Sequence, residues 1–502
     1  MSVPAHRNPE RFPYSVPVLR HPDRLFIGGE WVEPHSGRQL EIVSPDTEQV
    51  VARVAEADET DMDRAVAAAR KAFDEGPWQW MSPAERIAAM KRLVEALRRR
   101  ESELCAAWSA QMGGLAALAP RLVGRGHQNL QDAIDLGGTF PFITRVQSPA
   151  APAAYVVQEP VGVVAAIAPW NVPYMIMTGK LGPALLAGCT VVMKPSPETP
   201  LEAYIIAECA EEVGLPPGVI NLVPGHREAA DHLVCNPGVD KVSFTGSTLA
   251  GKRIGSVCGS RIARCTLELG GKSAAIILDD FTAEEAAKVL AGAITLVSGQ
   301  VCAMLTRAIV PRRRYNEVAD AIAKEMQKIR IGYSNDEKAQ MGPLAMKRQL
   351  ERVEGYIEKG KKEGASLVTG GGRPKQFSCG YFFEPTLFAD VRNDMTIARE
   401  EIFGPVLSLI ACEDIEDGIR IANDSNYGLN GSVLTHDVDA AWRVARRIRT
   451  GNVAQNGMRN DFSLPFGGYK QSGIGREGGA QGLMHYLETK TIMLDGAPAQ
   501  AV

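Results

Sequence analysis

From residue 161 onward, short apolar runs alternate with helical stretches: 161–168, 190–194, 219–223 and 241–244 read as strands, with helices at 180–187, 201–212 and 227–235 between them. Parallel strands can be joined only through a crossover, so this rhythm implies a parallel sheet with helices on both faces. A second alternation follows Glu268, with a strand at 273–278, a helix at 283–295 and a strand at 306–310. Helices at 316–328 and 347–363, a turn at Gly370-Gly371-Gly372, and strands near Phe382 and at 406–410 continue it. Two α/β units are expected.

With 502 residues, 45% of them hydrophobic, the chain is too long for one ordinary core and should divide into domains. Residues 1–24 read as a loose arm, and 25–32 as two short strands about Gly28-Gly29. A helix is expected over 58–73. Ser82-Pro83-Ala84-Glu85 is a capping box with proline at the first helical position, opening a helix to about Arg99. The segments 150–158 and 489–494 are strand-like and fit neither unit, so they are expected to form a small projecting sheet. Its exposed edge needs a cover, most simply another subunit.

A net charge of −4 creates no field favouring nucleic acid, and Arg98-Arg99-Arg100 reads as a solvated helix end. No apolar run reaches the length of about 18 residues that a membrane span requires. Nine cysteines without paired or metal-type spacing suit a reducing compartment. The start has no apolar core of a signal peptide, so a cytoplasmic protein without membrane partner is expected.

Cys302, in Ser298-Gly299-Gln300-Val301-Cys302, is the candidate nucleophile, because a thiol beside glycine can be presented at a turn and attack as its thiolate. Free cysteine is more often a small buried hydrophobe. Cys105, Cys189, Cys209, Cys258 and Cys412 read that way, while Cys235, Cys265 and Cys379 lack identifiable partners. What singles out Cys302 is company: Asn171 in Pro169-Trp170-Asn171 offers an oxyanion donor, and Glu268 in Leu267-Glu268-Leu269-Gly270-Gly271-Lys272 a base.

Two patterns mislead. Gly473-Ile474-Gly475-Arg476-Glu477-Gly478 matches a dinucleotide fingerprint but lacks a preceding apolar strand and a following βαβ unit. Gly246-Ser247-Thr248-Leu249-Ala250-Gly251-Lys252 has phosphate-loop spacing, yet Arg253 follows where magnesium binding needs a hydroxyl. ATP hydrolysis is not expected. The segment leads from a strand into a helix, so its N–H groups can hold a pyrophosphate without metal chemistry.

The ordered set Pro169-Trp170-Asn171, Lys194-Pro195-Ser196, Phe244-Thr245-Gly246-Ser247-Thr248, Glu268-Leu269-Gly270-Gly271-Lys272, Gly299-Gln300-Val301-Cys302, Glu401-Ile402-Phe403-Gly404-Pro405 and Pro465-Phe466-Gly467-Gly468 resembles the NAD(P)-dependent aldehyde dehydrogenase superfamily over residues 25–495. The resemblance implies an α/β fold with a Rossmann-like parallel-sheet cofactor domain (25–142 and 160–268), an α/β catalytic domain (269–477), and a small bridging sheet (143–159 and 478–502) that builds homodimers or homotetramers. It implies that Cys302 attacks an aldehyde and that Asn171 and the Cys302 N–H hold the oxyanion, each donor worth about 3 to 4 kcal/mol. Hydride then leaves to NAD(P), and Glu268 activates the water that releases a carboxylate. Lys180 and Glu477 match a proton relay.

For the cofactor, the resemblance implies contacts from Ile167, Ala168, Pro169, Trp170, Lys194, Ser196, Pro197, Gly225, Phe244, Thr245, Gly246, Ser247, Leu269, Gly270, Glu401 and Phe403. Pro197 departs from the pattern of NAD-preferring relatives, which place Glu there, and Glu198 follows it. NAD with some NADP tolerance is expected. For the substrate pocket it implies Val172, Met175, Ile176, Gly179, Arg459 and Phe466, with Met458, Asn460 and Phe462 nearby. A wide, mostly apolar tunnel is expected, suited to aliphatic or aromatic aldehydes of moderate size. The competing readings are an acidic semialdehyde paired with Arg459, a CoA-acylating variant, a cysteine hydrolase, and a non-catalytic binder. Glu268 argues for water as acceptor, no histidine sits in a comparable setting to serve a hydrolase, and neither nucleophile nor base is missing.

Overall fold

The computed structural model describes residues 16–499. Residues 1–15 of the expected arm, with His6, and residues 500–502 lie outside the described residues. The first sheet runs in the order Glu30–Val32, Leu25–Ile27, Ile220–Leu222, Thr190–Lys194, Val163–Ile167, Lys241–Thr245, Arg264–Glu268, Gly473–Ile474. Its five central strands are parallel. Val163–Ile167 comes first in the chain among them. The chain builds outward on one side of it, then returns to build on the other, leaving a crevice at the carboxyl ends beside Lys241–Thr245.

This strand is buried throughout. Val163, Ala165 and Ile167 enter one hydrophobic cluster while Val164 and Ala166 enter another, so its two faces each meet a layer of helices. The same division recurs in the second sheet, where Ala274 and Ile276 face one cluster and Ala275 and Ile277 the other. That sheet is ordered Ser366–Thr369, Thr386–Ala389, Val406–Cys412, Leu305–Pro311, Ser273–Ile277, Gly431–Leu434, Ala454–Gln455, antiparallel only at its first pair. A third sheet pairs Ala153–Pro160 with Leu487–Leu494 and Ile143–Val146, and leaves Ile143 and Met493 exposed. Among the described residues no helix is long and apolar enough to cross a membrane.

Several elements differ from the sequence reading. The helix expected at 180–187 begins at Pro173 and continues through Pro183 to Ala187. Pro173 sits in the first turn, where a missing N–H costs nothing, so the proline is a start signal that the sequence reading passed over. Helices Glu101–Met112 and Ala119–Gly137 fill a stretch with no assignment, and the strand sought near Phe382 lies at Thr386–Ala389. Within 269–477, Gly473–Ile474 crosses back to pair with Leu267 and Glu268 on the first sheet. The rejected glycine pattern is therefore an edge strand, and Gly473, at φ 155°, passes so close to Leu267 that a Cβ would fall 2.2 Å from its carbonyl oxygen.

Candidate active site

After helix Ala283–Thr295 the chain turns at Leu296–Gly299, where Val297 (φ 51°) and Ser298 (φ 55°) adopt the left-handed conformation ahead of Gly299 (φ 75°). Each such residue costs on the order of 1–3 kcal/mol, so neighbours must hold the turn. Ser298 Oγ donates to Gly342 O at 2.8 Å and Gln300 Nε2 to Val297 O at 3.0 Å, while Gln300 Oε1 accepts from Ala345 N–H at 2.9 Å. The turn delivers half-buried Cys302 to a cavity of about 380 Å³. Asn171 and Glu268 line the same cavity.

Asn171 follows the strand Val163–Ile167 and is buried. Its Nδ2 donates to Gln300 O at 2.8 Å and its backbone carbonyl accepts from Trp108 Nε1 at 2.9 Å. An amide nitrogen carries two hydrogens, so a second donor remains. Glu268 ends the strand Arg264–Glu268, is buried, and has no hydrogen-bond partner at either carboxylate oxygen. The glycines after it let the chain pass tightly: a Cβ on Gly271 would fall 2.5 Å from Cys302 O, and one on Gly270 2.4 Å from a Glu401 carboxylate oxygen.

The opposite wall is Glu401 and Phe403. Gly271 N–H donates to Glu401 Oε1 at 3.1 Å. Phe403 sits at φ 63°, with its carbonyl accepting from Gln349 Nε2 at 2.7 Å and its ring 5.2 Å from that of Trp170 at 85°. Arg352 Nε donates to Ile402 O at 3.1 Å. Arg348, Gln349 and Arg352 all border the cavity, and the sequence reading missed them. Their spacing on a correctly expected helix was the available signal, since residues 349 and 352 share a face.

The cofactor candidates divide. Pro169, Trp170, Thr245, Gly246, Ser247, Leu269, Gly270, Glu401 and Phe403 border the Cys302 cavity. Ile167, Phe244 and again Ser247 border a second cavity of about 800 Å³ against helices Arg227–Cys235 and Thr248–Ser260. Ser247 thus joins the two, and its side chain caps the second helix through Ala250 N–H at 3.2 Å. Lys194, Ser196 and Ala168 are buried at the carboxyl ends of neighbouring strands and Pro197 is half-buried. Gly225 borders neither cavity; a Cβ there would fall 2.6 Å from Ala57 O.

Lys180 is fully buried, and its ammonium donates to Glu477 Oε1 at 2.6 Å and Thr245 Oγ1 at 2.7 Å. Ile176 borders the Cys302 cavity, with buried Val172 and half-buried Met175 on the same chain segment. Phe466 packs with Ala303 and Leu429 against Cys302 and lies 4.7 Å, ring to ring, from Phe462. Gly179 borders a separate cavity of about 370 Å³ together with Phe462, Leu136 and Leu186. Arg459 is exposed and borders none of these spaces.

Burial sets the electrostatics. It pushes the Cys302 thiol up to about 12, with Glu401 and Glu268 adding to the rise. It raises Glu401 to about 7 and Glu268 well above the usual carboxylate range, the latter helped by Glu477 and opposed by Lys180. It lowers Lys194 to about 8 and Lys272 to about 7. Every group is pressed towards its neutral form, as desolvation requires. Perturbed groups concentrated in one cleft are a signature of chemistry.

A parallel sheet with a crevice at its switch point, bordered by a cysteine from a second α/β unit, defines a fold class that hosts many chemistries at that crevice. Comparison narrows the class. A profile described as the aldehyde dehydrogenase family matches residues 31–492. A geranial dehydrogenase of Castellaniella defragrans is 43% identical over 94% of this chain and 98% of its own length. A 3-succinoylsemialdehyde-pyridine dehydrogenase of a Pseudomonas species is 41% identical over 95% and 99%. Among solved structures, a Mycobacterium tuberculosis aldehyde dehydrogenase complexed with NAD+ has a TM-score of 0.92 at 42% identity, covering 97% of this chain and 100% of its own. Aldehyde dehydrogenase C of Pseudomonas syringae, a mutant complexed with NAD+ and octanal, has a TM-score of 0.91 at 41% identity over 96% and 98%. The chain belongs to the aldehyde dehydrogenase family.

Proposed function

We propose that the protein oxidises an aldehyde of moderate size, aliphatic or aromatic, to its carboxylate with NAD+ through a covalent Cys302 intermediate. The observation that carries this reading is a buried carboxylate, Glu268, with both oxygens uncommitted in the same cavity as Cys302 and Asn171. Such a base can take the thiol proton and later a proton from water. Cys302 Sγ bonds to the carbonyl carbon, and the oxyanion of the thiohemiacetal is held by Asn171 Nδ2 and the Cys302 N–H. A dinucleotide held beside Trp170 and Phe403 would supply the acceptor for the hydride that leaves this carbon. Lys180 and Glu477, in contact with each other and within electrostatic reach of Glu268, carry the thiol proton outward. Glu268, thus freed, draws a proton from water as the water attacks the thioester and gives it to the departing sulfur, releasing the acid and the thiol.

The residues fit a dinucleotide. Ser247 borders both cavities, and the helix N-terminus it caps offers unpaired N–H groups to a pyrophosphate. Trp170 and Phe403 flank the reacting half. The NAD+ bound in the similar structures supports the same choice of cofactor. The domain assignment is 25–142 with 160–268 for the cofactor and 269–477 for catalysis, the latter crossing back at Gly473–Ile474. The assembly segments are assigned as 143–159 and 478–502, and the sheet of Ile143–Val146, Ala153–Pro160 and Leu487–Leu494 leaves Ile143 and Met493 exposed, which suits burial in a homodimer or homotetramer. Nine free cysteines suit a cytoplasmic setting.

The substrate is proposed to be apolar rather than acidic, because Arg459 is exposed and borders none of these cavities, whereas Phe466 and Phe462 pack with Cys302 and Ile176 borders its cavity. Geranial and octanal, named with two of the relatives, are of this kind. The test is a panel of aldehydes with NAD+ or NADP+, following absorbance of the reduced nicotinamide. Medium-chain and benzylic aldehydes should have a higher kcat/KM than acetaldehyde. A preference for acetaldehyde, or for a carboxylated semialdehyde, would overturn the substrate assignment.

A further inference from the structure

A second set of sulfurs lies behind the cofactor crevice. Helix Thr248–Ser260 packs on strand Arg264–Glu268 through one face, and its glycines show the register. A Cβ on Gly251 would fall 2.5 Å from Leu269 Cδ2, and one on Gly255 3.6 Å from Leu267 Cδ1. Helical positions 251, 255 and 258 share a face, and chain positions 269, 267 and 265 share another, so the next pair in the series is Cys258 with Cys265. The two thiols are hydrogen-bonded to each other. The sequence disclosed no partner for Cys265; folding supplies two. The other is buried Lys241 on the neighbouring strand, whose ammonium donates to Thr266 Oγ1 at 2.7 Å and places positive charge near Cys265. The Cys258 thiol and Lys241 hold Cys265 down at about 7 against the effect of burial, while Cys258 is pushed up by Cys265 and by burial. Cys265 is half-buried and Cys258 buried, which suits them as an attacking thiolate and a resolving thiol.

We propose that Cys258 and Cys265 form an oxidation site for a small hydroperoxide, and that their disulfide loosens the grip of the Ser247 helix terminus on the dinucleotide. The second half rests on the NAD+ reading above. Cys265 Sγ attacks one peroxide oxygen, the O–O bond breaks, and the other oxygen leaves as hydroxide, which takes up the proton the thiol had released. The sulfur is now a sulfenic acid, oxidised by two electrons. Cys258 Sγ then attacks Cys265 Sγ, the S–O bond breaks, and hydroxide leaves with the Cys258 proton as water. Two thiols and one hydrogen peroxide give one disulfide and two waters. A disulfide holds its sulfurs about 2 Å apart, well inside a hydrogen-bonded contact. The helix cannot follow evenly, because at Gly251 there is no room beside Leu269 even for a Cβ. Drawing the Cys258 end inward therefore turns the helix about Gly251 and swings Ser247, one turn beyond, outward by on the order of 1 Å. Ser247 borders both cavities and caps this helix, so the N–H groups offered to a pyrophosphate leave their place.

The reduced full chain is treated with hydrogen peroxide, the excess is removed, and the remaining thiols are alkylated. Trypsin cuts after Arg253, Arg261, Arg264 and Lys272, so the bond should appear in mass spectra as peptide 254–261 joined to peptide 265–272. NADH affinity, read by nicotinamide fluorescence, should weaken about three- to tenfold, the worth of about one hydrogen bond, and return with dithiothreitol. Cys302→Ala should respond in the same way, which separates this site from oxidation of the nucleophile. Cys265→Val and Cys258→Ala should each lose the joined peptide and keep their NADH affinity through the treatment. The proposal is overturned if the two peptides are not joined in the unsubstituted chain, or if they join and NADH affinity does not change. If the reduced chain fails to bind NADH, the NAD+ reading falls and takes the effect on the helix terminus with it, while the joined peptide still decides the oxidation site.

Discussion

The turn that carries Cys302 commits its polar side chains, whereas Glu268 commits neither carboxylate oxygen. Gln300 spends its side chain on Val297 and Ala345 and its carbonyl on Asn171, and Ser298 is tied to Gly342. Across the same cavity, both oxygens of Glu268 and Asn171 Oδ1 lack partners. Leaving a buried carboxylate unsatisfied costs several kcal/mol or forces it to take up a proton. The contrast separates two jobs. A nucleophile that must meet a carbon in one geometry is held rigidly, and a base that must serve a thiol and then a water is left free.

The harshest way to break this comparison is to remove the nucleophile. Cys302→Ala should lower kcat by at least about 10³-fold while NADH binding persists, because the group that makes the covalent bond is gone. Surviving turnover would put the chemistry elsewhere. Glu268→Gln keeps the shape and removes the base, and kcat should fall about 10²- to 10⁴-fold. Rapid mixing should then show a burst of reduced nicotinamide followed by slow release of acid. No burst would mean that Glu268 acts only on the thiol.

Loosening the committed side is a milder test. Gln300→Ala leaves the Val297 carbonyl and the Ala345 N–H without their partner and should cost about 1–3 kcal/mol of stability, read by denaturant unfolding. It should lower kcat more than it raises KM. The pH profile sharpens the other side. A carboxyl whose pKa is raised holds its proton until the pH passes that higher value, and Cys302 is shifted upward too, to about 12, so kcat/KM should keep increasing as the pH rises above neutrality. A profile that falls over this range would contradict a proton-bound resting Glu268. The smallest effect is expected at Gly179, where nothing stands closer to an added Cβ than Asn129 Nδ2 at 3.5 Å. Gly179→Leu fills the separate cavity that Gly179 shares with Phe462 and should shift the chain-length optimum towards shorter aldehydes by a few-fold, and an unchanged optimum would take that cavity out of the substrate path.

How much could be seen in advance follows from the range of each interaction. Helices Leu201–Glu212, Arg227–Cys235 and Ala283–Thr295 lie where the apolar spacing put them, and Pro83–Arg99 opens with both halves of its capping box formed. These signals act within a few residues. Strands Ala153–Pro160 and Leu487–Leu494 were expected to share a sheet because neither fitted another core, and they pair with Tyr155 opposite Ile492. Helices Glu101–Met112 and Ala119–Gly137 escaped notice, the second carrying glycines whose room is taken by neighbouring side chains such as Tyr174 and Leu186.

Sequence alone determined the alternation of strand and helix, hence the two parallel sheets, and it singled out Cys302, Asn171 and Glu268 by residue chemistry and order. Folding decided the rest: the left-handed backbone at Val297, Ser298 and Phe403, the service of Gln349 and Arg352 to the Glu401 segment, and the meeting of Glu198 with Arg348. The reason is physical. Periodicity and capping depend on neighbours along the chain, whereas strain can be held, carboxylates left free and charges paired across a cleft only by groups that hundreds of residues of packing bring together.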